Sequence, residues 1–281
     1  MGREDLIKIF ENTVWMCETN HKLKDKIKNS MACNKVISEK NADAILQNLT
    51  HETGKEAEII VSKKRSFEAA SAYRGKHISV LNFASATNPG GGVTKGASAQ
   101  EECLCRVSTL YKCISASEIT EAFHKKHWRA LKTGEMDSFY NDDCIQTCNV
   151  TVFKSDTAKT VLLPEKDWFD VDVISCAAPN LRYMLQYDNN WKKTVTDKKL
   201  FDIYKKRINR VLDIASSAKS DVIILGAFGC GAFANPPELV AKAMHAAIDE
   251  HKYDFETIEL AIYCSSRDTS NYEVFAKEFS A

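Results

Sequence analysis

Six short strand-like runs, several of them continuously apolar, constrain this chain more than any other feature. They fall at 58–61, 78–83, 150–153, 171–176, 222–225 and 258–263. Stretches of helical periodicity separate them, at 66–73, 98–113, 118–131, 198–217, 237–250 and 270–279. A run such as Val222-Ile223-Ile224-Leu225 has no polar face, so it fits a strand covered on both sides. Strands alternating with helices in this way predict a three-layer α/β/α domain with a sheet at its centre. Ahead of them, Leu6, Ile7, Phe10, Val14 and Trp15 recur at helical spacing. They predict an N-terminal helical extension over 1–57, packed on a core formed by 58–281. No internal repeat and no Pro/Gly/Ser-rich linker divides the chain, so one structural domain is expected.

With 281 residues, 44% hydrophobic and 27% charged, the chain has the composition of a packed globular protein rather than a disordered or coiled-coil one. Lysine and arginine total 38 and so do aspartate and glutamate. There is no bulk positive field to gather nucleic acid by counterion release, and direct DNA binding is not expected. The longest apolar stretches fall far short of the roughly 20 residues of a membrane span. The first residues lack a signal-peptide core, and Leu6 stands where a myristoylation motif needs Ser or Thr. A cytoplasmic protein is expected. The ten cysteines are scattered without a paired framework, so they read as reduced thiols. Cys144 and Cys148 have no second ligand pair at zinc spacing, and neither a metal nor a cofactor is predicted.

The glycines carry the first functional signal. Of only 11, seven lie in two short segments: Gly90, Gly91, Gly92 and Gly96, then Gly226, Gly229 and Gly231. Each segment follows an apolar strand and precedes a helix. Ligands of α/β sheets bind at the carboxyl ends of strands, where glycine lets backbone N–H groups approach an anion. Two such loops predict a cradle for a ligand bearing phosphate. Neither is a P-loop or a dinucleotide fingerprint.

After seven intervening residues beyond Gly92 comes Gln100-Glu101-Glu102. Ser98 to Glu101 fits a capping box that opens a helix, placing both glutamates in its first turn. One reading is that Glu101 caps the helix and Glu102 is solvated and favoured by the macrodipole. The other is that a loop holding a diphosphate delivers two carboxylates to a sugar, where cleaving an acetal-like bond needs an acid.

The segment Leu81-Asn82-Phe83-Ala84-Ser85-Ala86-Thr87-Asn88-Pro89-Gly90-Gly91-Gly92, followed by Gln100-Glu101-Glu102, resembles the signature of the bacterial-type poly(ADP-ribose) glycohydrolases. That signature is three glycines, six to eight residues, then Gln-Glu-Glu. The similarity continues through 103–111, Phe139-Tyr140, 150–153, Ala178-Pro179-Asn180 and 225–231, spanning most of the chain from about 58 to 279. The resemblance implies a macrodomain-like fold with a mixed sheet, binding ADP-ribose with its diphosphate across the two glycine loops. It implies Glu102 as the catalytic glutamate and Glu101 as the residue orienting the ribose. It implies substrate contacts at Asn88, Gly90, Gly91, Gly92 and Gln100 in the first segment, and at Gly229, Cys230, Gly231, Ala232 and Phe233 in the second. Phe233 would pack against the terminal ribose, and Tyr263, ending a strand on the same side, is the candidate for adenine. The alanines flanking Phe233 depart from bulkier neighbours in parts of the family.

The expected activity is hydrolysis of the ribose–ribose bonds of poly(ADP-ribose) on modified proteins, from the chain end, by a monomer. The alternatives are removal of a single ADP-ribose from a side chain or acyl ester, and a reader that binds without cleaving. Intact Gln100-Glu101-Glu102 argues against the reader. His124 and His127, with Lys125, Lys126 and Arg129, read as a solvated helix face. His245 reads as a packed helix residue, and Cys103 lacks a local histidine to make it a nucleophile.

Overall fold

The computed structural model describes residues 1–42, 53–182, 195–265 and 268–280. Seven strands form one mixed sheet: β1 (Lys35–Ile37), β2 (Glu58–Ser62), β3 (Ile78–Phe83), β4 (Cys144–Val152), β5 (Phe169–Cys176), β6 (Val222–Leu225) and β7 (Thr257–Ala261). Their spatial order is β1-β4-β5-β3-β6-β7-β2. The block from β5 to β2 is parallel, while β4 runs antiparallel to β5 and β1 antiparallel to β4.

Strand periodicity divides the apolar residues between two cores. On one face Leu81, Ile174, Ile223, Leu225 and Leu260 meet Tyr204, Ile208 and Val211 of α7 (Asp197–Ser217), Met244 of α8 (Pro237–Glu250) and Phe275 of α9 (Ser270–Glu278). On the other, Val80, Val173, Val222 and Ile224 meet Phe10 of α1 (Arg3–Thr19), Phe67 of α3 (Ser66–Ala70), Leu104 of α4 (Gln100–Val107) and Leu110 of α5 (Leu110–Ile114). Each fully buried aliphatic side chain contributes about 1.5–3 kcal/mol. The result is the three-layer α/β/α arrangement expected from the alternation of strands and helices.

Local chemistry accounts for the departures from the sequence reading. The N-terminal helical segment is two helices, because the Asn20 side chain accepts from Leu23 N (3.2 Å) and starts α2 (His21–Cys33). The extension also contributes β1, the outer strand of the sheet. Strand β4 begins at Cys144, six residues before the run at 150–153, because its first half mixes polar and apolar residues and a bulge at Thr147/Val150 resets the register. Asn149 takes the left-handed conformation there, at φ 54°. The helix expected over 98–113 is broken at Ser108, which is extended and pairs with Val152. Its hydroxyl bonds Leu104 O (2.8 Å) and accepts from Leu110 N (3.2 Å), competing with the helical pattern.

The histidines of the basic segment are a correction. Residues Thr120–Lys125 are π-helical and lead into α6 (Lys126–Thr133), and both His124 and His127 lie in the interior, each 1% exposed. Only part of the segment is a solvated face: Lys125 and Arg129 are exposed and pair with Glu121. His127 bonds Phe123 O and Asn141.

Candidate active site

Strands β3 and β6 are neighbours in the sheet, so the glycine loops that follow them emerge side by side at their carboxyl ends. Between them lies a cleft of about 980 Å³, lined by both loops, by Glu101 and Glu102, and by side chains from Arg65 to Asn271. Its size suits a ligand of several rings and phosphates.

The first loop turns through Gly90 (φ 68°) and Gly91 (φ 58°), conformations that disfavour any residue with a Cβ. Gly91 is restricted further. A Cβ there would lie 2.5 Å from Glu102 Oε1 and 3.1 Å from Glu101 Oε2, so the loop backbone rests directly on the two carboxyl groups. The next amide, Gly92 N, donates to Glu102 Oε1 at 2.9 Å, while Glu102 Oε2 is buried without a hydrogen-bond partner.

Neither glutamate is solvated, which overturns the simple reading of the pair: Glu101 is 3% and Glu102 7% exposed. Glu101 Oε2 accepts from Ser85 N (2.8 Å), and Asn82 Nδ2 reaches Oε1 at 3.4 Å while also bonding Ser175 Oγ (2.9 Å). Burial pushes the Glu101 carboxyl up to about 8, with the Ser85 amide pulling it back and the neighbouring Glu102 raising it further. Burial therefore favours its neutral form.

The capping box does not form. Ala99 is the N-cap of α4 without a side-chain bond, and Ser98 lies one residue outside. The Gln100 amide instead ties the helix start to β3: its oxygen accepts from Phe83 N (2.8 Å), and its nitrogen donates to Leu81 O (2.7 Å) and Ser66 Oγ (3.0 Å). Gln100 lines the cleft with its hydrogen-bonding groups already engaged.

The second loop turns at Gly229 (φ 78°), where a Cβ would run into the Tyr204 hydroxyl, Ala178 and the Asn235 amide. Asn235 pins the turn by donating to Pro179 O (2.7 Å) and Gly229 O (3.0 Å), and Tyr204 donates to Phe228 O (3.1 Å). Gly231, Ala232 and Phe233 follow along the wall, with the Phe233 ring 6.5 Å from that of Tyr140. Two residues expected at the site stand behind the lining. Gly90 packs against Tyr111 and Val93, and Cys230 directs its thiol to Phe228 O. Asn88 is at the rim and takes part in the turn, its carbonyl accepting from Gly91 N (2.9 Å).

The same cleft carries a cation–aromatic pair and a buried acid that the sequence reading missed. The Arg65 guanidinium lies 4.2 Å from the centroid of the exposed Tyr263 ring. Asp156, 5% exposed, accepts from Phe67 N (3.1 Å) and faces Arg65 at 3.9 Å. Burial raises its carboxyl to about 6 against the pull of Arg65. Nothing local in the sequence marks Arg65 or Asp156, two ionic residues 91 positions apart. Cys103 also lines the cleft, and burial raises its thiol despite the guanidinium groups of Arg65 and Arg106 at 3.1 and 3.3 Å. Among the described residues no histidine bonds it as an activating base.

The microbial-type PARG catalytic-domain model matches residues 4–155, more than half of the chain. The chain belongs to that family. It is therefore an enzyme of the poly(ADP-ribose) glycohydrolase class, and its architecture is the macrodomain-like one of those enzymes. The glycohydrolase of Thermomonospora curvata bound to the inhibitor ADP-HPD superposes with a TM-score of 0.82 at 25% identity, over 98% of this chain and 100% of that one. A second structure from T. curvata gives 0.84 at 26% identity with the same coverage. The Deinococcus radiodurans glycohydrolase in complex with ADP-ribose gives 0.76 at 26%, over 90% of this chain and 97% of that one. No curated protein matches the chain in sequence. Among the described residues, no helix is long and apolar enough to cross a membrane.

Proposed function

We propose that the cleft takes the terminal ADP-ribose of a poly(ADP-ribose) chain on a modified protein, and that Glu102 cleaves the bond joining it to the next unit. The observation that carries this reading is the Glu102 carboxyl, fixed through Oε1 by Gly92 N, unpartnered at Oε2, and set in the cleft beneath the first glycine loop. Such a group is ready to hand a proton to the ribose–ribose oxygen as the bond breaks, and then to take one from the attacking water. The glycosidic carbon passes through an oxocarbenium-like state, ADP-ribose departs, and the shortened chain keeps the hydroxyl.

Glu101, whose neutral form burial favours and which is held by Ser85 N, hydrogen-bonds the ribose hydroxyls beside Glu102. The diphosphate lies between the two glycine loops, along Gly91–Gly92 and Gly229–Gly231. Phe233 packs on the ribose, while the Tyr263–Arg65 pair and Asp156 take the adenine, Asp156 as an acceptor for its amino group. The ADP-ribose of the D. radiodurans complexes and the ADP-HPD of the T. curvata complex support this choice of ligand. Ten free cysteines fit the reducing cytoplasm.

The test is to give the protein poly(ADP-ribose) of defined length beside a mono-ADP-ribosylated protein and O-acetyl-ADP-ribose. End-wise cleavage releases ADP-ribose from the first time points without intermediate oligomers. Oligomers appearing first would refute end-wise action, and release from the mono-modified substrates alone would move the assignment to a mono-ADP-ribosyl hydrolase. Tight ADP-ribose binding without any release would make the protein a reader.

A further inference from the structure

The first glycine loop is intrinsically loose, since three of its residues, Gly90, Gly91 and Gly96, hold positive φ and glycine has the most conformational freedom to lose. Yet its register decides whether Gly92 N meets Glu102. Helix α1 is packed against this loop. Arg3 Nε donates to Lys95 O at 2.6 Å. Gly96 lies so close to α1 that a Cβ would be 2.5 Å from Arg3 O and 3.1 Å from Ile7 Cγ1. One turn further on, the Phe10 ring meets Tyr111 edge-on at 4.8 Å and 89°, and Tyr111 is the side chain against which Gly90 is seated.

The helix is itself anchored from below. Thr13 Oγ1 donates to Arg106 O, and the buried Lys154 ammonium bonds Ile9 O (3.2 Å), Asn12 Oδ1 (2.9 Å) and Thr13 Oγ1 (2.7 Å). Arg106 in turn donates to Ala97 O (2.6 Å), the far end of the same loop. The loop is thus held at its glycine turn and at its far end by one connected set of contacts, all involving α1 or residues in contact with it.

We propose that α1 is a positioning element of the active site, with Arg3 and Phe10 as positioning residues that set the 90–97 loop over Glu102. The role in turnover rests on the function proposed above, whereas the ordering of the loop does not. A helix needed only for folding would influence stability. A positioning helix also controls amide order at Gly91–Gly92 and the rate of the chemical step, because small displacements of a reacting group cost large factors in rate.

The variants are Arg3→Ala, an exposed site, Phe10→Leu, which keeps the position apolar but removes the ring, and the two combined, with Trp15→Ala as the control on an exposed part of α1 (Trp15 is 60% exposed). Amide hydrogen exchange at residues 91–92, melting temperature, kcat and KM on poly(ADP-ribose), and ADP-ribose affinity are measured on each. In the double variant, exchange is expected to rise and kcat to fall by about tenfold while KM changes by about threefold or less. Arg3→Lys recovers part of the loss, and Trp15→Ala matches wild type. Wild-type exchange and kcat in the double variant, whatever the melting temperature, overturn the proposal. If wild type itself releases no ADP-ribose, the functional reading fails, and exchange still decides whether α1 orders the loop.

Discussion

The two glycine loops leave adjacent strands and face one cleft, but they are held by different surroundings. The second is pinned by neutral, buried partners of its own core, Tyr204 and Asn235, around a single positive-φ glycine at 229. The first has three such glycines, lies on two carboxyl groups, and takes its support from a helix more than 80 residues earlier in the chain. The second loop is built as a rigid wall for binding. The first holds a reactive group at fixed geometry, and its lack of side chains is what allows the backbone to touch that group.

Breaking the first loop is expected to give the largest effect on rate. Gly91→Ala forces a Cβ to within 2.5 Å of Glu102 Oε1 at a φ of 58°, and kcat is predicted to fall about 100-fold while ADP-ribose affinity, read by calorimetry, falls far less. The matching change in the second loop should reverse the split. Gly229→Ala drives a Cβ into Tyr204 and Asn235, so denaturant unfolding should show a loss of about 2–3 kcal/mol and ADP-ribose affinity a drop of about tenfold.

The carboxyl beneath the first loop makes the comparison depend on pH. Glu101 is held neutral up to about 8 in the folded protein, against an ordinary value of 4.5. The folded state therefore binds more protons than the unfolded one between these limits. Stability contributed by this group is complete below pH 4.5 and is lost as pH rises through about 8, at no more than about 1.4 kcal/mol per pH unit. Turnover should decline above pH 8, by about tenfold at pH 9 if neutral Glu101 is required. Glu101→Gln, which cannot ionise, should flatten that limb. A pH profile unchanged in Glu101→Gln would show that the residue does not control it. The smallest effect is expected at Gly231, where a Cβ meets nothing and φ is ordinary. Gly231→Ala should change stability by less than about 0.5 kcal/mol, read by denaturant unfolding.

These contrasts also explain what could be read from the sequence. The buried strands β3, β5, β6 and β7 were legible because continuous apolar runs have few other uses, and the loops because glycine clusters are rare in this chain. Strand β1 was not, since three residues at a sheet edge carry no periodicity, nor was the first half of β4, where a bulge interrupts the pattern. The pairing of Glu101 with Glu102 could be read, but not that Gln100 braces β3 in place of a capping box, because that depends on where β3 ends in space. Arg65 and Asp156 become a site only through folding. Of the two buried histidines, His127 shares the face of Phe123 four residues earlier, whereas the register at His124 is altered by the π-turn, a change invisible to a 3.6-residue template.

The central claim is that one cleft binds ADP-ribose and that Glu102 performs the chemistry in it. It is tested most directly by Glu102→Gln, which keeps the shape of the side chain, with ADP-ribose release from poly(ADP-ribose) and ADP-ribose binding measured on the same preparation. The account predicts a loss of turnover of at least about 1,000-fold with affinity within a few-fold of wild type. Turnover close to wild type in that variant would contradict it.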